Sequence, residues 1–252
     1  MLGLEKHLIY YPKPRKTPAR LETKTGKESC MSSERAASVD EKETNRLEAF
    51  SDAVFAVAIT LLILDLKVPD LAVSDFDLGG ALLNQGPRLL AFTTSFFSVG
   101  IVWLNHHRLF THIKRTDTGL LLINLLLLFI IVIVPASTAL LAIYIDKSDI
   151  HIATIVYSGV FLLLACCING LWRYASYKNR LLGQEVNLQA VQAINRQYMF
   201  GPLLYAIAFG LAWINGLASI ILQLLLALFF ALPGYPRKTT SQHQVVKSSK
   251  NQ

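Results

Sequence analysis

Residues 46–66, RLEAFSDAVFAVAITLLILDL, place Arg46, Ser51 and Asp52 at the head of an otherwise apolar run long enough to cross a bilayer. A charge inside a spanning helix is expensive, so it turns toward a partner helix or a water-filled path and away from lipid. This segment is therefore a membrane helix with one special face, and the rest of the chain is its housing.

The surrounding sequence agrees. With 53% hydrophobic and 16% charged residues over 252 positions, the chain is too apolar for an ordinary soluble domain. Apolar runs near Ala49 to Leu66, Leu89 to Leu104, Leu120 to Ile145, Ile152 to Leu171, Phe200 to Ile214 and Leu217 to Leu232 each approach the roughly 20 residues that cross a ~30 Å hydrocarbon core. The fold class expected is all-α, a polytopic membrane protein of six transmembrane helices. Only Asn215 and Gly216 separate the last two runs, which leaves open two helices or one broken helix. The domain organisation expected is a mobile polar tail over 1–44, a six-helix domain over 45–233 and a second tail over 234–252.

Ten of the 24 Lys and Arg lie in residues 1–46; Arg108, Lys114 and Arg115 follow span two; Arg173, Lys178, Arg180 and Arg196 follow span four; four more close the chain. Only Lys67, Arg88 and Lys147 remain for the other side, where Asp65, Asp70, Asp75, Asp77, Asp146 and Asp149 collect. Six spans put every basic segment on one face, so the positive-inside bias places both termini in the cytosol. Topology accounts for the net charge of +7, and no nucleic-acid motif accompanies it. Cys166 and Cys167 inside span four read as buried thiols without metal-site spacing.

Asn45 with Glu48 three residues on has the outline of a capping box, which would start the first helix there. At about 100° per residue, Arg46, Phe50, Val57, Thr60, Leu61 and Leu64 share roughly a third of the helix circumference, and Asp52 points more than about 100° from its centre. Span two ends on the same side with WLNHHRLF, residues 103–110. Trp103 and His106 are i, i+3 neighbours. They are suitable partners for Asp52 or Ser51, whose polar atoms are costly in lipid. Equally, Trp103 fits an interfacial belt with the histidines at headgroups. For Val57, Thr60, Leu61 and Leu64, ordinary helix packing is the alternative to a solvent path.

RLEAFSD matches the RxxxFSD signature of the transmembrane protein 175 family, lysosomal and prokaryotic potassium channels, and W103LNHHRLF110 resembles that family's W-x-x-H-x-RLF segment. Asn124 and Pro135 in span three also fit, so the resemblance covers roughly residues 45 to 232. It implies a potassium-selective cation channel of the single-repeat prokaryotic type, a homotetramer in which the first helix of each copy lines a central pore. On the family's pattern the constriction positions are Val57, Thr60 and Leu64, with Leu61 on the same face and the potassium path at Thr60. Val57 stands where the family often has Ile or Leu, which gives a shorter ring. The resemblance also implies that Arg46, Phe50, Ser51 and Asp52, with Trp103 and His106, form a polar network bracing the cytosolic mouth.

No cofactor is expected beyond the permeant ion, and the plasma membrane is the expected location. A proton- or cation-coupled secondary transporter is the rival, since an aspartate beside histidines suits a proton relay. That mechanism favours inverted repeats and helices broken at mid-membrane, and the two halves of this chain show no internal similarity. An enzyme is not expected, because no block of acid, base and nucleophile is present.

Overall fold

The computed structural model describes residues 22–66, 79–80, 85–145, 147–183 and 188–232, with side chains of the first helix from Asp40 onward. Lys67, Asp70, Asp75, Asp77, Asp146 and the tail expected over 234–252 lie outside them. The chain divides into a unit over Met1–Val39 and a second, larger compact unit over Asp40–Gln252.

Seven α-helices are described: α1 Glu22–Leu61, α2 Gly86–His112, α3 Thr118–Tyr144, α4 Ile150–Ser176, α5 Leu188–Met199, α6 Gly201–Ala212 and α7 Gly216–Ala231. A short 3-10 turn, Leu62–Asp65, continues α1. Among the described residues, four stretches are long and apolar enough to cross a membrane, Asp40–Leu64, Gly86–His112, Thr118–Tyr144 and Ile150–Asn179. The protein is an all-α integral membrane protein.

The first helix does not begin at Asn45. α1 runs unbroken from Glu22, so residues 22–44, expected as a tail, are helical, and Asn45 sits exposed within the helix. The capping-box outline fails because Asn45 lies inside the helix, and the Glu48 carboxylate accepts from His107 Nδ1 at 2.7 Å. Where spans five and six were expected, α6 and α7 are two separate helices of 12 and 16 residues. Asn215 ends the turn between them by accepting from Ala218 N at 3.0 Å, an N-cap that starts α7 afresh. Ser219 donates to Ala208 O at 2.7 Å and Phe230 stacks on Tyr205 at 6.3 Å, so the two helices form an antiparallel hairpin.

The other helix starts follow from local chemistry. Pro87 and Pro202 occupy first-turn positions, where no amide hydrogen is needed. Asp117 caps α3 by accepting from Leu120 N at 2.9 Å. Its second oxygen takes the Tyr174 hydroxyl at 2.9 Å and Arg180 Nη2 at 2.8 Å, which ties the end of α4 to the start of α3. Gly119 makes this approach possible, because a Cβ there would overlap Tyr174. Pro135 lies within α3, and one residue before it Val134 O accepts from the Ser137 and Thr138 hydroxyls.

α3 packs along α4, α4 along α6, and α2 against both α3 and α7. The core is built of Leu, Ile and aromatic side chains, with Phe55, Ala58 and Leu62 supplied by α1 and Tyr157, Phe161 and Trp172 by α4. Cys166, read as buried, is exposed, and Cys167 is half-buried. The reason is register, since α4 turns Tyr157, Phe161, Leu164, Ile168 and Leu171 inward.

A candidate pore helix and its brace

Two faces of α1 have opposite fates. Ser51, Phe55, Ala58 and Leu62, at helical spacing, are buried. The opposite side carries Arg46, Phe50, Val57, Thr60, Leu61 and Leu64, all exposed, with Val57 57% and Leu64 70% accessible. Ala49, Ala53 and Ala56 are exposed on the same side, small residues that sequence reasoning passed over. Thr60 Oγ1 donates to Val57 O at 2.8 Å. The hydroxyl proton is thereby committed to the helix, and the oxygen's lone pairs are left to face outward as acceptors.

The buried face is held by a relay of hydrogen bonds. Ser51 Oγ donates to Leu47 O at 2.9 Å, and Asn124 Nδ2 of α3 donates to Ser51 Oγ at 2.9 Å. Asn124 Oδ1 then pairs with His106 Nε2 of α2 at 2.9 Å. Since the amide nitrogen already serves Ser51, its oxygen must accept, so Nε2 of His106 carries the proton. His106 is fully buried, stacked on Phe110 at 4.4 Å between ring centroids and tilted against Phe55 at 5.4 Å.

Beside this relay, Trp103 Nε1 donates to Asp52 Oδ1 at 2.8 Å. One turn away along both helices, Glu48 accepts from His107 Nδ1 at 2.7 Å, and the Trp103 and His107 rings stack at 6.0 Å. Farther along α1, Glu41 faces Lys114 at 3.8 Å, Asp40 faces Arg115 at 3.5 Å, and Thr116 donates to Glu43 at 3.4 Å. α1 is thus fastened to α2 and the turn after it over several turns of helix.

Of the residues expected in the network, the structure brings together Ser51, Asp52, Trp103 and His106, with His106 reaching Ser51 through Asn124 and not directly. Arg46 and Phe50 do not join. Arg46 has no ion pair among the described residues, and Phe50, 57% exposed, lines an open apolar groove with Val54, Leu122, Leu126 and Phe129. Both follow from angle, because they lie on the side of α1 turned away from Trp103 and His106, with Phe50 beside only apolar side chains of α3. Glu48 and His107 were missed as a pair, although their spacing from Asp52 and Trp103 by four residues on each helix was a readable signal.

The family model described as endosomal/lysosomal potassium channel TMEM175 matches residues 46–135, the stretch holding the α1 face, the brace and Asn124. A potassium channel of Chamaesiphon minutus is 45% identical over 194 residues, covering 77% of this chain and 96% of its own. A potassium channel of Streptomyces collinus is 39% identical over 199 residues, covering 78% and 96%. The crystal structure of a lysosomal potassium-selective channel TMEM175 homolog from Chamaesiphon minutus superposes with a TM-score of 0.70 at 43% identity, covering 78% of this chain and all of that one. The chain belongs to the TMEM175 family of potassium channels.

Proposed function

We propose that four copies of the chain surround a central pore, each lining it with the outward face of α1, and that the pore passes potassium ions passively in preference to sodium. The observation that carries this reading is the contrast within α1: a row of Val57, Thr60 and Leu64 left uncovered beside a face braced by a buried polar relay. Ala49, Ala53 and Ala56 flank the row, and small side chains let neighbouring helices approach closely. The groove beside Phe50 is where the next copy rests, and Arg46 stands at the pore mouth.

Under this arrangement four Thr60 oxygens converge on the axis with their lone pairs free, a ring of acceptors for a cation losing its water. Val57, Leu61 and Leu64 form apolar rings on either side that charge dehydration makes costly. No TVGYG-like stretch exists from which backbone carbonyls could build a filter, so selection rests on these side-chain rings. The chain conducts and does not catalyse, and it needs no cofactor beyond the permeant ion. With both termini in the cytosol, the brace sits at the cytosolic end of the pore, and the plasma membrane holds it.

Purified protein tests the assembly and the transport mode together. Chemical crosslinking should give a ladder ending at four copies, and planar bilayers should show unitary currents. A ladder ending at two, or saturable flux without unitary currents, would replace the channel with a secondary transporter.

A further inference from the structure

The segment 103–108 of α2 grips the pore helix on one side only. Trp103 and His107 point to α1, while Asn105 and Arg108 lie about half a turn around the helix and face the outer bundle. There Arg108 Nη2 donates to Ala231 O at 2.7 Å, and Nη1 lies 3.4 Å from Asn105 Oδ1. The Tyr198 hydroxyl donates to the same Asn105 oxygen at 2.9 Å, and Gln197 Nε2 donates to Leu232 O at 3.1 Å.

These bonds answer a specific need. The last carbonyls of a helix have no partner within it, and its C-terminal end carries partial negative charge. α7 has no Lys, Arg or His in its own last turn, so the cation comes from α2. One guanidinium therefore joins α2 to the end of α7, and Asn105 beside it joins α2 to Tyr198 of α5.

We propose that Arg108 is a positioning residue for the pore helix: by anchoring α2 to the end of α7, it fixes where Trp103 and His107 hold Asp52 and Glu48. α2 is then a strut, with the outer bundle on one side and α1 on the other. Loss of the anchor loosens α1 at a distance, although Arg108 makes no hydrogen bond or ion pair with α1 among the described residues. The effect on conduction rests on the channel reading above; the mechanical coupling does not.

The test compares wild type, Arg108→Gln and Arg108→Lys as full chains in lipid nanodiscs, reading backbone hydrogen exchange peptide by peptide, then open probability in planar bilayers. Arg108→Gln should raise exchange at least threefold in α1 peptides covering residues 46–56 as well as at the end of α7, and Arg108→Lys should restore both to within twofold of wild type. Open probability should fall at least threefold in Arg108→Gln with unitary conductance unchanged. Faster exchange confined to α7 would overturn the proposal, reducing Arg108 to a local cap. A changed unitary conductance would overturn it too, by placing Arg108 in the ion path. Should Arg108→Gln fail to fold, Tyr198→Phe removes a bond to Asn105 on the same stretch of α2 and must raise exchange in the same α1 peptides; no rise there rejects the coupling. A wild type silent in bilayers would sink the channel reading, while the exchange pattern would still decide the coupling.

Discussion

The two faces of α1 share one stretch of chain and one membrane depth, yet only one is finished by the chain itself. Ser51, Phe55, Ala58 and Leu62 meet α2 and α3 through packing and an ordered relay of hydrogen bonds. Val57, Thr60 and Leu64 stay exposed, and no side-chain hydrogen bond from another helix reaches them among the described residues. An uncovered face on a membrane helix is ordinary when lipid covers it, but here it carries a threonine with outward acceptors and a flank of alanines. The difference teaches that the chain completes one face of α1 with its own side chains and leaves the other open, which is the face the proposed pore would use.

The sharpest way to break this contrast is to place one charge on each face. Leu62→Arg, in the core, should yield no folded protein by size-exclusion chromatography, since an unpaired charge buried among apolar side chains costs several kcal/mol or more. Leu64→Arg, two residues on, should leave a folded assembly while a ring of positive charge lowers cation current by roughly tenfold or more. Equal folding yields from the two variants would erase the distinction between the faces.

The brace is sharpened by a smaller change. Asp52→Leu strands the Trp103 indole N–H and should cost about 1–3 kcal/mol in denaturation experiments, whereas Asp52→Asn keeps an acceptor and should cost less. Equal losses would mean that the charge of Asp52, and not its hydrogen bond, is what the helix needs. Smaller again is Glu48→Gln. His107 is half exposed, so this pair should contribute only about 0.2–1 kcal/mol, and salt should weaken it.

Much of the fold was legible because lipid imposes a simple demand: apolar runs of sufficient length become helices, and all six expected runs have a helix over most of their length. The fifth is shorter as a helix because Phe200 separates α6 from the polar, amphipathic α5, which no apolar run announces. The start of α1 was misread because Asn45 and Glu48 carry the right chemistry for a cap, and only the third dimension shows Glu48 committed to His107. Trp103 and Asp52 could be paired from residue type and helix end. Asn124 fitted the family pattern, but its task as a bridge between Ser51 and His106 depends on three helices meeting. Arg108 was counted as a topological charge and as part of the W-x-x-H-x-RLF block, but its acceptor is a main-chain carbonyl more than a hundred residues away, so that partner leaves no mark in the sequence.

The central claim is that Thr60 oxygens of α1 face the permeating ion. Reversal potentials in planar bilayers with potassium on one side and sodium on the other, measured for wild type and Thr60→Ala, test it most directly. The account predicts a wild-type reversal displaced toward potassium preference and a Thr60→Ala reversal moved toward zero. Thr60→Ala channels with wild-type conductance and reversal would contradict it.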